Sequence, residues 1–255
     1  MNRLFTKITL LLSIFIIISC GGNNEKEIDT SSNSQKQSGY NSKENAEISA
    51  ELGGEGFEII AKKLGYTTYH FTEEDYKFYG DPKAIKGGTL RHITSRFPNT
   101  LRTVGQNSNY QENTTIEGLC YESLISTHPV NLDFVPVLAT HWKISEDKMT
   151  FWFRINPDAK FSDGMPVTAD DVIATWDLQM DETILEPSAQ LVYGKFEPFK
   201  ESKYIVRVEC KKLSWRNLLY FGGMSILPAH ILNDLDGTEY LEEYQFKMMP
   251  GSGPY

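Results

Sequence analysis

An apolar run near the start of the chain is flanked by positive charge on one side and by small residues on the other. Arg3 and Lys7 precede the run, and Leu10 to Ile18 are apolar with a single serine among them. A helix that spans a bilayer needs about 20 apolar residues, so a run of roughly ten is too short to span and is typical of a cleavable secretion signal. The pattern predicts an exported protein with a signal peptide over residues 1–19.

Cys20 follows this run directly. The junction Ile17-Ile18-Ser19-Cys20-Gly21 resembles a bacterial lipobox, in which the cysteine is acylated and becomes the first residue of the mature protein. A chance cysteine beside an ordinary cleavage site is the alternative. A single acyl chain binds a bilayer only marginally, so stable attachment requires several. The resemblance implies lipidation at Cys20 and a lipid anchor on the bacterial cell membrane, facing the periplasm or the cell exterior.

Residues 20–50 contain almost no apolar side chains and are rich in Asn, Ser, Lys, Glu and Gln. Such a segment cannot bury enough surface to offset the entropy lost on ordering, and it is predicted to be a disordered tether. The reach of a flexible linker grows as about 5–6 Å times the square root of its length. The tether would let the folded part stand away from the membrane.

The pattern of a folded protein begins at residue 51. Apolar residues at helical spacing predict a short helix over residues 54–65, inside an amino-terminal extension that covers residues 51–85. Gly87 and Gly88 are expected to release the chain into a β-strand that runs through Ile93. This strand is predicted to start the main sheet.

Strand and helix patterns alternate along the rest of the chain. Met149 to Ile155 alternate in polarity and predict a half-buried strand, which follows a hairpin turn at residues 145–148. Thr168 precedes Asp171 by three residues, the spacing of a helix N-cap, and predicts a helix through Trp176. Further predictions are a helix over 113–125, an extended stretch over 132–142, a strand over 204–210 and a helix over 215–221. Because no regular βαβ period occurs, an α+β arrangement with a mixed sheet is favoured.

Composition and motifs narrow the range of functions. The formal net charge of -9 disfavours nucleic acid as a partner. The sequence contains neither Gly-x-Ser-x-Gly nor His-Glu-x-x-His, so we expect no enzyme and no catalytic residue. No two histidines have metal-ligand spacing, and neither a metal site nor a cofactor is predicted; the histidines are His70, His92, His128, His141 and His230. Cys120 and Cys210 are interpreted as separate buried thiols, with a disulfide as the alternative.

Six segments, taken together and in order, resemble the family of extracellular solute-binding proteins, family 5, whose members bind oligopeptides, dipeptides or nickel. A lone Asp-Gly or Gly-Gly would carry no weight, whereas six ordered segments over about 170 residues make coincidence improbable. The segments are Gly87–Leu90, Val135–Ala139 with Trp142, Met149–Arg154, Ala159–Val172, Leu227–His230 and Gly251–Tyr255.

The resemblance implies a mixed α/β fold of the type II periplasmic-binding-protein kind, with two lobes that close on a solute. Residues 86–121 and 229–255 would form an incomplete first lobe, and residues 122–228 an inserted subdomain. The second lobe is expected to be missing, from a fragment or a truncated gene, because the Gly-Ser-Gly-Pro-Tyr motif lies before the middle of such chains. The central block is expected to be scaffold, with neither Asp163 nor Arg154 as a ligand group.

The resemblance also implies a substrate-binding lipoprotein that captures peptides outside the cytoplasmic membrane and delivers them to the permease subunits of an ABC importer. It would be a monomer, held on the membrane by its lipid. Asn109 and Gln111 would supply amide hydrogen bonds to the ligand and Tyr110 a stacking face, although an ordinary polar loop would have the same composition. The alternatives are binding of nickel or another small solute by the same fold, or a surface receptor or adhesin without a role in transport.

Overall fold

The computed structural model describes residues 48–79, 83, 85, 87–91, 93–94 and 96–255. The predicted signal peptide, Cys20 and the predicted tether as far as residue 47 lie outside the described residues, as do Lys86 and His92. In the part of the chain that is described, no helix has both the length and the apolar character needed to cross a bilayer.

The described strands are β1 (Ile125–Thr127), β2 (Phe134–Pro136), β3 (Ala139–Ile144), β4 (Thr150–Ile155), β5 (Phe196–Lys200) and β6 (Ile205–Cys210). β1 pairs with β2, and the other four form a sheet in the order β3-β4-β6-β5. Every pairing is antiparallel, whereas the sequence predicted a mixed sheet. β3 and β4 are joined by a short turn, and so short a connection can only bring the next strand back antiparallel beside the first.

β4 confirms the predicted alternation. Phe151 and Phe153 are buried, and the Lys148 N–H donates to the Ser145 carbonyl at 3.0 Å within the predicted hairpin turn. Both edges of β4 are paired, one with β3 and the other with β6. On its opposite face Arg154 is 2% exposed, a burial that alternation alone did not predict.

Arg154 holds the amino-terminal segment against the sheet. Its Nε donates to the Gly53 carbonyl at 3.0 Å, and its Nη1 lies 2.8 Å from the Glu58 carboxylate. The guanidinium also lies over the Phe57 ring, 5.0 Å from the centroid. Burial lowers the pKa of the guanidinium, and the nearby Glu58 opposes that effect. These contacts give Arg154 a structural role in the described fold.

The described helices are α1 (Phe57–Ile60), α2 (Glu73–Tyr79), α3 (Gln111–Cys120), α4 (Ala169–Met180), α5 (Pro187–Tyr193), α6 (Asn217–Gly222), α7 (Ala229–Leu232) and α8 (Gly237–Glu243). α4 begins at the predicted cap: the Thr168 N–H donates to the Asp171 carboxylate at 2.7 Å, and the two residues form a capping box. The helix continues past Trp176, the last residue of the prediction. The reciprocal cap satisfies donors that the first turn leaves without an intrahelical partner.

Two predicted helices differ in extent. Residues 54–65 contain one helical turn, α1, followed by hydrogen-bonded turns. α3 ends at Cys120, because Tyr121 adopts an extended conformation with φ -123° and ψ 135°. Ile125, the last residue of that predicted helix, instead begins β1.

The strand predicted after the paired glycines is wrong. The described residues between 87 and 94 form no strand, and Gly87 and Gly88 have φ of 108° and 97°. Leu90 and Ile93 are 54% and 93% exposed. In the described part of the chain these apolar side chains have no sheet to pack on, and a strand needs a partner edge to satisfy its backbone.

Three hydrophobic clusters stabilise the described fold; the smallest joins Phe57, Ala61 and Tyr66 to Ile205 of β6, and the other two are larger cores. The first lies on the four-stranded sheet, where Phe153 stacks on Phe221 of α6 at 6.1 Å between centroids. Trp142 belongs to the same core and is 5% exposed. The second core joins α4, α7 and α8 to flanking residues, among them Tyr121 and Met249. Together the cores connect the central sheet to segments that precede it and segments that follow it in the sequence.

Cys120 and Cys210 are separate free thiols, as predicted, but only Cys210 has the predicted burial. Cys210 is buried in the sheet core, and Cys120 is half-buried at the end of α3. Burial raises the pKa of the Cys210 thiol to about 11. This thiol is therefore protonated near neutral pH and behaves as a small apolar side chain.

Candidate functional site

The three residues predicted to contact a solute lie together where a loop runs into α3. Asn109 and Gln111 are exposed and Tyr110 is half-buried. Tyr110 is the N-cap residue, in extended conformation with φ -97° and ψ 164°, and Gln111 is the first residue of the helix. Among the described residues, none of these three side chains has a hydrogen-bond partner. Their amide and phenol groups are therefore available to a ligand.

The backbone just before them is fixed by a distant part of the chain. The Gly105 N–H donates to the Glu186 carboxylate at 2.7 Å, and the Gln106 N–H donates to the Ile184 carbonyl at 2.8 Å. Burial raises the pKa of the Glu186 carboxyl, and the hydrogen bond from Gly105 opposes that effect. Two hydrogen bonds across about 80 residues hold the loop against the turn that precedes α5.

Arg102 and Asn113 hold the two flanks of the loop. Arg102 is 7% exposed, and its Nη2 donates to the Gln106 carbonyl at 3.1 Å. Asn113, in the first turn of α3, donates through Nδ2 to the carbonyls of Thr100 and Arg102 at 2.8 and 2.7 Å. The side chains of residues 109–111 thus project from a backbone that is preorganised, which reduces the entropy lost when a ligand binds.

Gly105 allows the tight path of this loop. Its φ is 87°, and a Cβ at this position would lie 2.8 Å from Cδ2 of Leu241. Asn107 also has positive φ, 65°, a conformation that asparagine adopts more readily than most residues. The sequence predicted Asn109, Tyr110 and Gln111 as contact residues but gave no indication of Arg102, Gly105 and Glu186, which fix the loop. The Gly-Gln-Asn string at 105–107 was the one local signal for the turn.

An apolar groove of about 310 Å³ lies along another face of α3. Its walls are Ile116 and Leu119 of the helix, Leu90 and Pro98 before it, and Met248 near the end of the chain. None of the three predicted contact residues lines the groove. The sequence did not indicate it, because its walls come from segments that are separated by more than a hundred residues.

The histidines that can be described do not form a metal site. No group of three His, Cys, Asp or Glu side chains in the described part is placed to hold a metal ion. His128 is 2% exposed, and its Nε2 lies 3.4 Å from the Asp75 carboxylate. His230 contacts Asp163 at 2.7 Å, so Asp163 pairs with a residue of α7 instead of facing a groove.

A family model and several known proteins are similar in sequence to this chain. The profile of the family described as bacterial extracellular solute-binding proteins, family 5 Middle, matches residues 133–255. The peptidoglycan-binding protein YepA of Agrobacterium fabrum is 28% identical over 211 residues, covering 77% of this chain and 33% of YepA. The periplasmic murein peptide-binding protein MppA of Escherichia coli is 36% identical over 69 residues, covering 27% of this chain and 12% of MppA.

A solved structure is similar as well. The oligopeptide-binding protein AppA from Bacillus subtilis, in complex with a nonapeptide, matches with a TM-score of 0.52 and 27% identity. The match covers 58% of this chain and 29% of AppA. The chain spans about a third of the length of the curated relatives that it matches over most of its own length.

Proposed function

From the match of residues 133–255 to the model of bacterial extracellular solute-binding proteins, family 5, we propose that the chain is part of the solute-capturing component of an ABC importer. The fold is mixed α/β of the type II periplasmic-binding-protein kind, of which the chain covers a part. Members of the family are extracellular or periplasmic. The proposed ligand is a peptide, in keeping with the murein peptide that MppA is named for and the nonapeptide bound to AppA.

The unpaired polar side chains on the fixed loop before α3 carry this proposal. The amides of Asn109 and Gln111 would exchange hydrogen bonds with the backbone of an extended peptide, and the Tyr110 ring would cover a side chain. An amide can donate and accept at once, which suits peptide groups regardless of the peptide sequence. Such a site would take many peptides with modest selectivity.

The predicted division into a first lobe and an inserted subdomain is part of the same proposal. The sheet core is built almost entirely from residues within 122–228. The second core brings Val104 and Tyr121 together with Tyr240 and Met249, which come from both predicted pieces of the first lobe. It also includes four residues of the predicted subdomain, which are Ala174, Leu178, Ile184 and Leu227. This pattern supports a first lobe in which residues 229–255, which follow the inserted subdomain, pack against residues 86–121.

The proposed function predicts that peptides bind and that the loop contributes to their affinity. Solutes that co-purify with the protein, identified by mass spectrometry, should include peptides, and calorimetry with those peptides should give saturable heat. Tyr110→Ala and Gln111→Ala should each weaken binding about two- to tenfold, since a hydrogen bond to a ligand contributes about 0.5–1.5 kcal/mol.

The matched control for these variants is Gln245→Ala, which removes an exposed glutamine outside the loop. It should leave the calorimetric affinity unchanged. Binding that persists unaltered in both loop variants would remove residues 109–111 from the site. Heat with nickel or another small solute, and none with any peptide, would reject the peptide and favour the other ligands of this family.

The proposed anchor predicts a single acylated cysteine. Cells fed with radiolabelled palmitate should label the wild-type protein, and Cys20→Ser should lose the label completely because no other thiol follows an apolar signal. Cys120→Ser is the matched control: it removes a half-buried thiol of the folded part and should retain full label. Label that remains in Cys20→Ser would refute lipidation at residue 20.

A further inference from the structure

The segment that joins β6 to α6 combines positive charge with exposed apolar side chains. It reads Lys211-Lys212-Leu213-Ser214-Trp215-Arg216 and contains three cations and no carboxylate. Leu213 is 60% exposed and Trp215 is 79% exposed. In a chain with a formal net charge of -9, this is an unusual local composition. A contiguous exposed apolar patch with polar residues at its rim is typical of a surface that contacts a protein or a membrane.

The exposed side chains border an apolar groove of about 430 Å³. Leu213 and Trp215 form one wall, Ile144 and Phe134 belong to the facing strands, and the buried Phe151 lies beneath them. Lys148, in the turn between β3 and β4, also lines the groove. We call Ile144, Lys148 and residues 211–216 the Trp215 surface.

Lys148 lines the groove, and the three cations of residues 211–216 belong to the segment that forms its wall. The Arg216 guanidinium lies 4.9 Å from the Trp215 ring centroid, and its Nη1 contacts the Tyr220 hydroxyl. Glu209 precedes the segment by two residues and pairs with Arg207, and Glu146 and Asp147 lie in the β3–β4 turn. Asp147 accepts hydrogen bonds from the Ser145 side chain and from the Met149 N–H, so its carboxylate is held by its own turn.

We propose that the Trp215 surface contacts a bilayer that contains anionic phospholipid, with Trp215 and Leu213 at the level of the headgroups and the cations on the lipid phosphates. Tryptophan is enriched at membrane interfaces, because its ring is apolar and its N–H is polar. Lysine and arginine side chains beside it are attracted to an anionic leaflet. A protein partner is disfavoured, because the cores of protein interfaces are depleted in lysine and this surface has three.

This contact is independent of the proposed peptide site and of the proposed acyl chain. It would give the anchored protein a preferred orientation, with one end of the four-stranded sheet against the membrane. A lipid anchor alone would leave the folded part free to rotate at the end of its tether.

Tryptophan fluorescence can test the contact with the full chain. The protein is incorporated into vesicles of phosphatidylcholine alone, or of phosphatidylcholine with phosphatidylglycerol, in which brominated lipids quench a tryptophan that reaches the headgroup region. Trp142 is 5% exposed, and Trp152 and Trp176 are half-buried. Trp215→Phe identifies the part of the quenching that comes from residue 215.

The charge contribution is tested by Lys211→Glu with Lys212→Glu. The matched control is Lys62→Glu with Lys63→Glu, which reverses two adjacent exposed lysines elsewhere and changes the net charge equally. We expect quenching with anionic vesicles, its loss in Trp215→Phe, loss of most of it in the 211/212 variant, and no change in the 62/63 variant. Raised salt should weaken it.

Three results would overturn the proposal. Absence of quenching in anionic vesicles would leave the surface to a protein partner. Equal quenching with and without phosphatidylglycerol would remove the role of the cations. Equal loss in both lysine variants would show a nonspecific effect of net charge. Because the substituted side chains are exposed, a circular dichroism spectrum like that of the wild type should confirm that each variant is folded.

Discussion

Gly251→Ala should lower the free energy of unfolding by about 3 kcal/mol, the upper part of the usual range for an overpacked site. A Cβ at residue 251 would overlap the backbone carbonyl of Cys120. The same carbonyl accepts the Gly253 N–H at 2.9 Å, and the Gly251 carbonyl accepts the Ser162 N–H at 2.8 Å. A methyl group would therefore separate the terminal segment from the end of α3 and break both hydrogen bonds.

Gly118→Ala is the control for this prediction. Residue 118 lies in α3, and a Cβ there would meet nothing within 4 Å. The same substitution should stabilise the helix by about 0.5–1 kcal/mol, since alanine has the higher helix propensity. Urea unfolding followed by circular dichroism measures both. An unchanged midpoint for Gly251→Ala would show that the terminal segment does not pack against α3.

Asp171→Ala should also cost about 3 kcal/mol. The Asp171 carboxylate accepts hydrogen bonds from the Thr168 N–H at 2.7 Å, the Thr168 hydroxyl at 3.0 Å and the Ala229 N–H at 2.7 Å. It is 3% exposed, so its loss leaves two buried backbone donors without a partner. A helix cap contributes about 1–2 kcal/mol, and the Ala229 donor adds to this. Burial raises the pKa of the carboxyl, and these hydrogen bonds oppose that effect.

The neighbouring residue gives the matched control. Asp170 is exposed and forms an ion pair with Lys200 at 2.7 Å. Exposed ion pairs contribute little to stability, so Asp170→Ala should leave the thermal midpoint almost unchanged. If the two alanine variants unfolded at the same temperature, the buried contact between α4 and α7 would have no energetic role.

Local sequence signals located the centre of the fold well. The alternation of Met149 to Ile155 predicted β4, and the spacing of Thr168 and Asp171 predicted the start of α4. Both signals depend on residues that lie within one turn or one strand of each other. β5 was missed because Pro198 interrupts its pattern, and the structure places β5 at the edge of the sheet, where proline is tolerated.

The candidate site was located only in part. The resemblance to solute-binding proteins led to Asn109, Tyr110 and Gln111, and the structure shows where they lie without testing their role. Their support comes from Glu186 and Arg102, whose contacts with the loop could not be inferred from spacing. Glu186 reaches Gly105 across 81 residues, and no periodicity connects such distant positions.

The sequence by itself determined the segments whose structure depends on near neighbours, namely the β3–β4 hairpin and the cap of α4. It also indicated the resemblance to the solute-binding family, because the order of the six motifs can be recognised without any knowledge of contacts. Only the tertiary structure decided that Arg154 and Asp171 are buried anchors and that Leu90 and Ile93 find no sheet in the described part. Only the structure shows that the Trp215 side chain is exposed to solvent next to Lys211, Lys212 and Arg216 in the sequence. The physical reason is that burial and hydrogen-bond satisfaction are properties of the packed chain, and distant segments supply them.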